Sequence, residues 1–251
     1  MALKNRFMTF LYKAVRYLIT KTRLIGTRNL PTNTPTIIVA NHLGAYGPIT
    51  MMSSLSFDLY PWVIQDVTRI SSCPSYLRDD FIETELKLKA PLSITFSIII
   101  GGVCVALMKG INAIPVYKKS RNMRKTIERS LLLLRERKAL LIFPEIKGEP
   151  LIEGIERFDS GFIILAKRFY RRYGKRVTFV PAAVSRKARA ISIGQPILFR
   201  PDVPYHEERD RIRNTLETSV TDMYLAMNKQ TSERMKPADR IDSLEKERKP
   251  A

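Results

Sequence analysis

His42 is one of only two histidines among the 251 residues, and its setting invites chemistry. It follows Asn41 at the end of Thr36-Ile37-Ile38-Val39-Ala40, a β-branched run behind a loop rich in Pro and Thr. Such a run reads as a buried strand. A Gly-containing turn, Leu43-Gly44-Ala45-Tyr46-Gly47-Pro48, comes next. An imidazole so placed stands at the carboxyl edge of a sheet, where α/β proteins bind their ligands. There it could take the proton of a hydroxyl near neutral pH, because the ordinary histidine pKa lies close to that range. The competing reading is a satisfied structural histidine, and the residue types leave both open. His206 has no such setting, since it falls in the charged first turn of a late helix. Cys73 and Cys104 show neither metal-ligand spacing nor a disulfide framework, so a reducing compartment is expected.

Three further blocks accompany the first. Asn112-Ala113-Ile114-Pro115-Val116-Tyr117-Lys118 is a strand-like run closing on a cation. Ala139-Leu140-Leu141-Ile142-Phe143-Pro144-Glu145 is an apolar strand ending in Phe-Pro-Glu, and Phe179-Val180-Pro181-Ala182-Ala183-Val184 is another apolar strand. In this order the four blocks resemble the glycerolipid acyltransferases of the bacterial lysophosphatidate type, from about residue 25 to about residue 200. That family carries Asn-His-x4-Asp, a strand ending in Arg, Phe-Pro-Glu-Gly-Thr-Arg, and a Val-Pro strand. The resemblance implies one α/β domain, a mixed, mostly parallel sheet flanked by helices. It implies His42 as general base on a lysophospholipid hydroxyl, which attacks an acyl thioester. Acyl-CoA or acyl carrier protein would be the co-substrate, with no bound cofactor. Asn41, Lys118, Glu145 and Lys147 are the residues it sets about the substrate.

The chain departs from the family at informative positions. Gly47 stands where the family has the Asp that orients its His. Ile146-Lys147-Gly148 replaces Gly-Thr-Arg, and Lys118 replaces the Arg of the second block, keeping charge without a bidentate fork. Either another carboxylate, Glu145 or Asp66, takes the place of the missing Asp, or the protein is a catalytically silent lipid-binding paralogue. Gly47→Asp should then create activity in a silent protein.

Composition bounds the partners. A hydrophobic share of 45% with 27% charged residues describes a globular chain, and its net charge is +19. No Asp or Glu precedes Asp58, and none lies between Ser160 and Pro201, a stretch holding Lys167, Arg168, Arg171, Arg172, Arg186, Lys187 and Arg189. Such surfaces attract polyanions; an anionic membrane is favoured over nucleic acid, for which no binding motif is present. Residues 3–21 place Leu3, Phe7, Phe10, Leu11, Ala14, Tyr17 and Leu18 on one helical face and cations on the other. A membrane-interface helix over 1–24, a catalytic domain over 25–228 and a charged disordered tail over 229–251 are expected, on the cytoplasmic face of a membrane. Residues 90–108 carry no charge, and read as a buried or membrane-dipping helix lining an acyl-chain tunnel. No cleavable signal peptide is expected, because Lys13 and Arg16 interrupt the first apolar run.

Overall fold

The computed structural model describes residues 22–30, 33–44, 46–83, 87–117 and 122–234. Strands β1 (Arg23–Ile25) and β2 (Thr36–Ala40) precede helix α1 (Tyr46–Ser54) and strand β3 (Leu59–Ile64). A helical excursion follows, with α2 (Cys73–Leu77) and α3 (Leu92–Gly110), before β4 (Ile114–Val116), α4 (Met123–Arg135) and β5 (Ala139–Ile142). Next come the hairpin of β6 (Glu145–Ile152) and β7 (Ile155–Phe158), then α5 (Ile164–Tyr173) and β8 (Thr178–Ser185). Strands β9 (Ala190–Ile193) and β10 (Ile197–Leu198) lead into the long helix α6 (Tyr205–Arg234).

The main sheet runs β1-β9-β8-β2-β5-β3-β4, with β10 antiparallel on β8. Strands β8, β2, β5, β3 and β4 are parallel to one another, whereas β9 runs against β8. Every residue of β2, β5 and β8 is buried, as parallel strands covered on both faces require. Alternate residues serve opposite layers. Ile37 and Val39 join a core with α4, α5 and α6, while Ile38 and Ala40 join Met51 of α1 on the other side. The connection leaving β2 thus crosses one face and that leaving β5 crosses the other, the arrangement in which α/β proteins bind ligands at the carboxyl ends of the strands. This is the mixed, mostly parallel α/β domain that the block order implied.

Four expectations change. Arg23–Ile25 pairs with β9, so the sheet begins inside the segment expected as an N-terminal helix; its residues 1–21 lie outside those described. The last helix continues to Arg234, since Lys229-Gln230-Thr231-Ser232-Glu233-Arg234, though apolar-poor, contains good helix formers. Residues 235–251 of the expected tail are outside the described set. The β6–β7 hairpin was not anticipated; its signal is the Glu153-Gly154 turn between two isoleucines, with Gly154 at φ +84°. Finally, α3 is not a buried tunnel wall: its large apolar side chains face outward, with Ile98 and Ile99 59% and 62% exposed.

Helix α6 is tied down at its start by Glu208, whose side chain is fully buried. That carboxylate accepts the Arg200 main-chain N–H at 2.8 Å and guanidinium bonds from Arg200 at 3.1 Å and Arg211 at 2.6 and 2.7 Å. Burial pushes the carboxyl up, but the bonds from Arg211 and Arg200 outweigh it and hold it below the usual glutamate range. Its contribution to stability is therefore present above the unfolded-state pKa and lost as pH falls through the depressed folded value. Glu208→Gln is expected to cost about 1–3 kcal/mol of stability and to flatten the acid limb of melting temperature against pH.

Candidate functional site

Asn41 and His42, adjacent in sequence, meet opposite surroundings. The Asn41 side chain is 0% exposed. Its Nδ2 donates to the Val184 carbonyl at 3.0 Å, and its Oδ1 accepts the Val184 N–H at 2.7 Å. The amide thus extends the β2–β8 ladder by one rung, satisfying a polar group that would otherwise be costly at this depth. His42, one step beyond, is exposed. Its ring meets Phe143 edge to face, with centroids 5.1 Å apart and planes at 79°. The turn behind it is tight. Leu43 and Gly44 both have positive φ, and the His42 carbonyl accepts the Gly47 N–H at 3.0 Å. A leucine at φ +47° is a strained placement that the surrounding structure must enforce.

Glu145, at the start of β6, supplies that enforcement. One carboxylate oxygen accepts the main-chain N–H of His42, and the other accepts the Glu156 N–H at 3.0 Å. The carboxylate therefore grips the backbone at residue 42 and the start of β7. The hairpin it organises is fixed at its base. Phe158 N–H donates to Glu217 of α6 at 2.8 Å, and Asp159 N–H to the Pro144 carbonyl at 2.8 Å. At the tip, a Cβ on Gly154 would run into the Tyr224 ring at 2.9 Å and would meet Leu43 at 3.4 Å. Only a glycine lets the hairpin lean this closely on the His42 turn.

Burial is the main influence on the Glu145 carboxyl and raises its pKa, with the charge of Glu156 adding to it against the two N–H bonds. The sign of the linkage follows: this group favours the folded state most below the unfolded pKa, and that contribution fades as pH rises through the raised folded value. Both oxygens are in use as acceptors, whereas a glutamine amide keeps one acceptor and turns the other position into an N–H donor that cannot bond the second main-chain N–H. Glu145→Gln is accordingly expected to loosen the turn at a cost of about 1–3 kcal/mol. Hydrogen exchange at the residue 42 amide, compared between variant and parent, is the measurement; unchanged protection would contradict the clamp.

Gly47 explains its own presence. A Cβ there would lie 2.8 Å from the Asn41 carbonyl oxygen and closer still to that of His42. Gly148, at the place of the family Arg, has φ +88°, which a side chain would strain, and its N–H donates to Glu156 at 2.9 Å. Lys147 is exposed on β6, whereas Lys118 lies outside the described residues. Asp66 sits in the turn after β3, two strands from β2. The missing Asp is thus not replaced by Glu145 bonding to the imidazole; Glu145 holds the main chain instead. A residue that the block pattern did not single out stands at the same edge. Arg186, two residues beyond Val184, stacks on the Tyr46 ring at 5.0 Å. Its signal lies in the acid-free stretch, but charge alone does not say which of those cations packs on Tyr46. Among the described residues, no group of three or more His, Cys, Asp or Glu is arranged to hold a metal ion.

Compared with protein-family models and with curated proteins, the sequence matches none. Among solved structures, it is similar to the 1-acyl-sn-glycerophosphate (LPA) acyltransferase PlsC from Thermotoga maritima. The identity is 13% over 87% of this chain and 82% of that one, with a TM-score of 0.46.

Proposed function

We propose that this chain is a membrane-associated acyltransferase that moves a fatty acyl group from an acyl thioester to the hydroxyl of a lysophospholipid or related glycerolipid. The observation that carries the reading is His42: an exposed imidazole at the carboxyl end of the central strand, its main chain gripped by the Glu145 carboxylate at the start of β6. The imidazole takes the proton from the acceptor hydroxyl, the oxygen attacks the thioester carbonyl, the C–S bond breaks, and the imidazolium returns the proton to the leaving thiolate. Asn41 and Glu145 are positioning residues, because their polar atoms are spent on the backbone of Val184, His42 and Glu156. Lys118, Lys147 and Arg186 supply positive charge for an anionic headgroup or for the thioester carrier. Residues 1–21, with the basic surface, hold the protein on an anionic membrane at its cytoplasmic face.

A second reading has its own support. Gly47 denies the imidazole the acidic partner expected at that position, which fits a lipid-binding protein that no longer transfers. Purified protein incubated with acyl-CoA, or with acyl carrier protein thioester, and a panel of lysolipids separates the two. Release of free thiol matched by acylated lipid establishes transfer. Lipid retained unacylated by the protein, with no thiol released, establishes the second reading instead.

A further inference from the structure

Helix α3 wears its side chains inside out. Its buried positions, four residues apart, are Ser93, Ser97, Gly101 and Val105. Gly101 lies so near α2 that a Cβ would sit 2.8 Å from the Pro74 ring. The two serines are satisfied locally: Ser93 donates to Glu83 at 2.9 Å, and Ser97 to the Ile94 carbonyl at 2.7 Å. Outward stand Leu92, Ile94, Phe96, Ile98 and Ile99, each between 42% and 67% exposed. A soluble core helix has the reverse arrangement. Small residues against the neighbour and large apolar ones outward suit a helix whose surroundings are hydrocarbon.

Charge and connectivity narrow what covers this face. No charged residue lies between Lys89 and Lys109, which bracket the helix. The net charge of +19 makes an anionic surface the complementary partner. A second copy of the chain would set those lysines against their equivalents. Both ends of α3 return to the same domain, one packed beside α2 and the other entering β4 directly, so the helix lies along a surface and does not cross it.

We propose that the outward face of α3 is a membrane-docking surface that beds, in the plane of an anionic bilayer, among the upper acyl chains, with Lys89 and Lys109 at headgroup level. This deepens the functional reading above, since it sets the bilayer against the β3–β4 excursion as well as the N-terminal segment. It rests on that reading for its purpose and on α3 for its evidence.

The test attaches an environment-sensitive fluorophore to Ile98→Cys in the full-length protein. The native thiols interfere little, because burial pushes Cys73 up to about 12 and raises Cys104 as well, leaving little reactive thiolate. Adding vesicles of phosphatidylcholine with phosphatidylglycerol should shift the emission to the blue, and phosphatidylcholine alone should do so far less. The I98E/I99E variant should lose vesicle affinity on the order of a hundredfold. Its melting temperature should not move, since both positions are exposed. Three results would overturn the proposal: vesicle-bound protein with no shift at position 98, a label already shielded before vesicles are added, or undiminished binding by the double variant. The vesicle measurement needs no turnover, so absent acyl transfer would count against the enzymatic reading and leave this one standing.

Discussion

His42→Ala is expected to lower acyl transfer by about 10²–10⁴-fold, the usual contribution of a positioned general base. The structure makes this substitution unusually clean. Glu145 bonds to the main-chain N–H of residue 42, which alanine retains, so the turn and the hairpin keep their anchor. The imidazole is exposed and meets the Phe143 ring at its edge, so little packing is lost with it. Melting temperature should stay within a degree or two of the parent while turnover collapses. Transfer that persists in the alanine variant would remove the imidazole from the mechanism. A turnover loss accompanied by a large fall in melting temperature would instead mark His42 as a structural residue.

Gly47→Asp is expected to damage the protein, although it restores the acid that the family pattern calls for. Its Cβ would fall 2.8 Å from the Asn41 carbonyl and closer to that of His42, both main-chain atoms with no freedom to swing aside. The turn would have to open, breaking the Gly47 N–H bond to the His42 carbonyl and displacing the residue meant to act as base. We expect a stability loss of about 3 kcal/mol or more and reduced transfer. Gly47→Ala should show most of the same loss with no added charge, which identifies sterics as the cause. A gain of activity in the Asp variant, with an unchanged melting temperature, would mean that the turn adapts and that a carboxylate at position 47 assists the imidazole. Restoring this Asp is therefore no simple test of a silent paralogue, as the spacing alone had implied.

Much of the frame was legible beforehand. Runs such as Thr36–Ala40, Ala139–Ile142 and Thr178–Ser185 are apolar throughout, and only strands covered on both faces can bury every residue of such a run. Helix α4 is legible in the apolar spacing of Ile127, Leu131 and Leu134. The hairpin after Glu145 escaped because Pro150 and Gly148 broke its strand pattern, and because its partner strand has only four residues. Arg186 escaped for another reason: one cation among many has no local signature until a ring is found beneath it.

The residues by themselves set His42 at the carboxyl end of a buried strand, because strand periodicity obeys local chemistry. That Phe-Pro-Glu and the Val-Pro strand share its edge was implied by the family resemblance of the four blocks. Folding settled what each of them touches. That Asn41 is a rung of the sheet, that Glu145 grips a backbone amide and not an imidazole, and that Gly47 admits no side chain all depend on atoms brought together from distant parts of the chain. The outward face of α3 belongs with these. Its lack of charge was written in the chain, but which side met Pro74 could be known only once α2 lay against it.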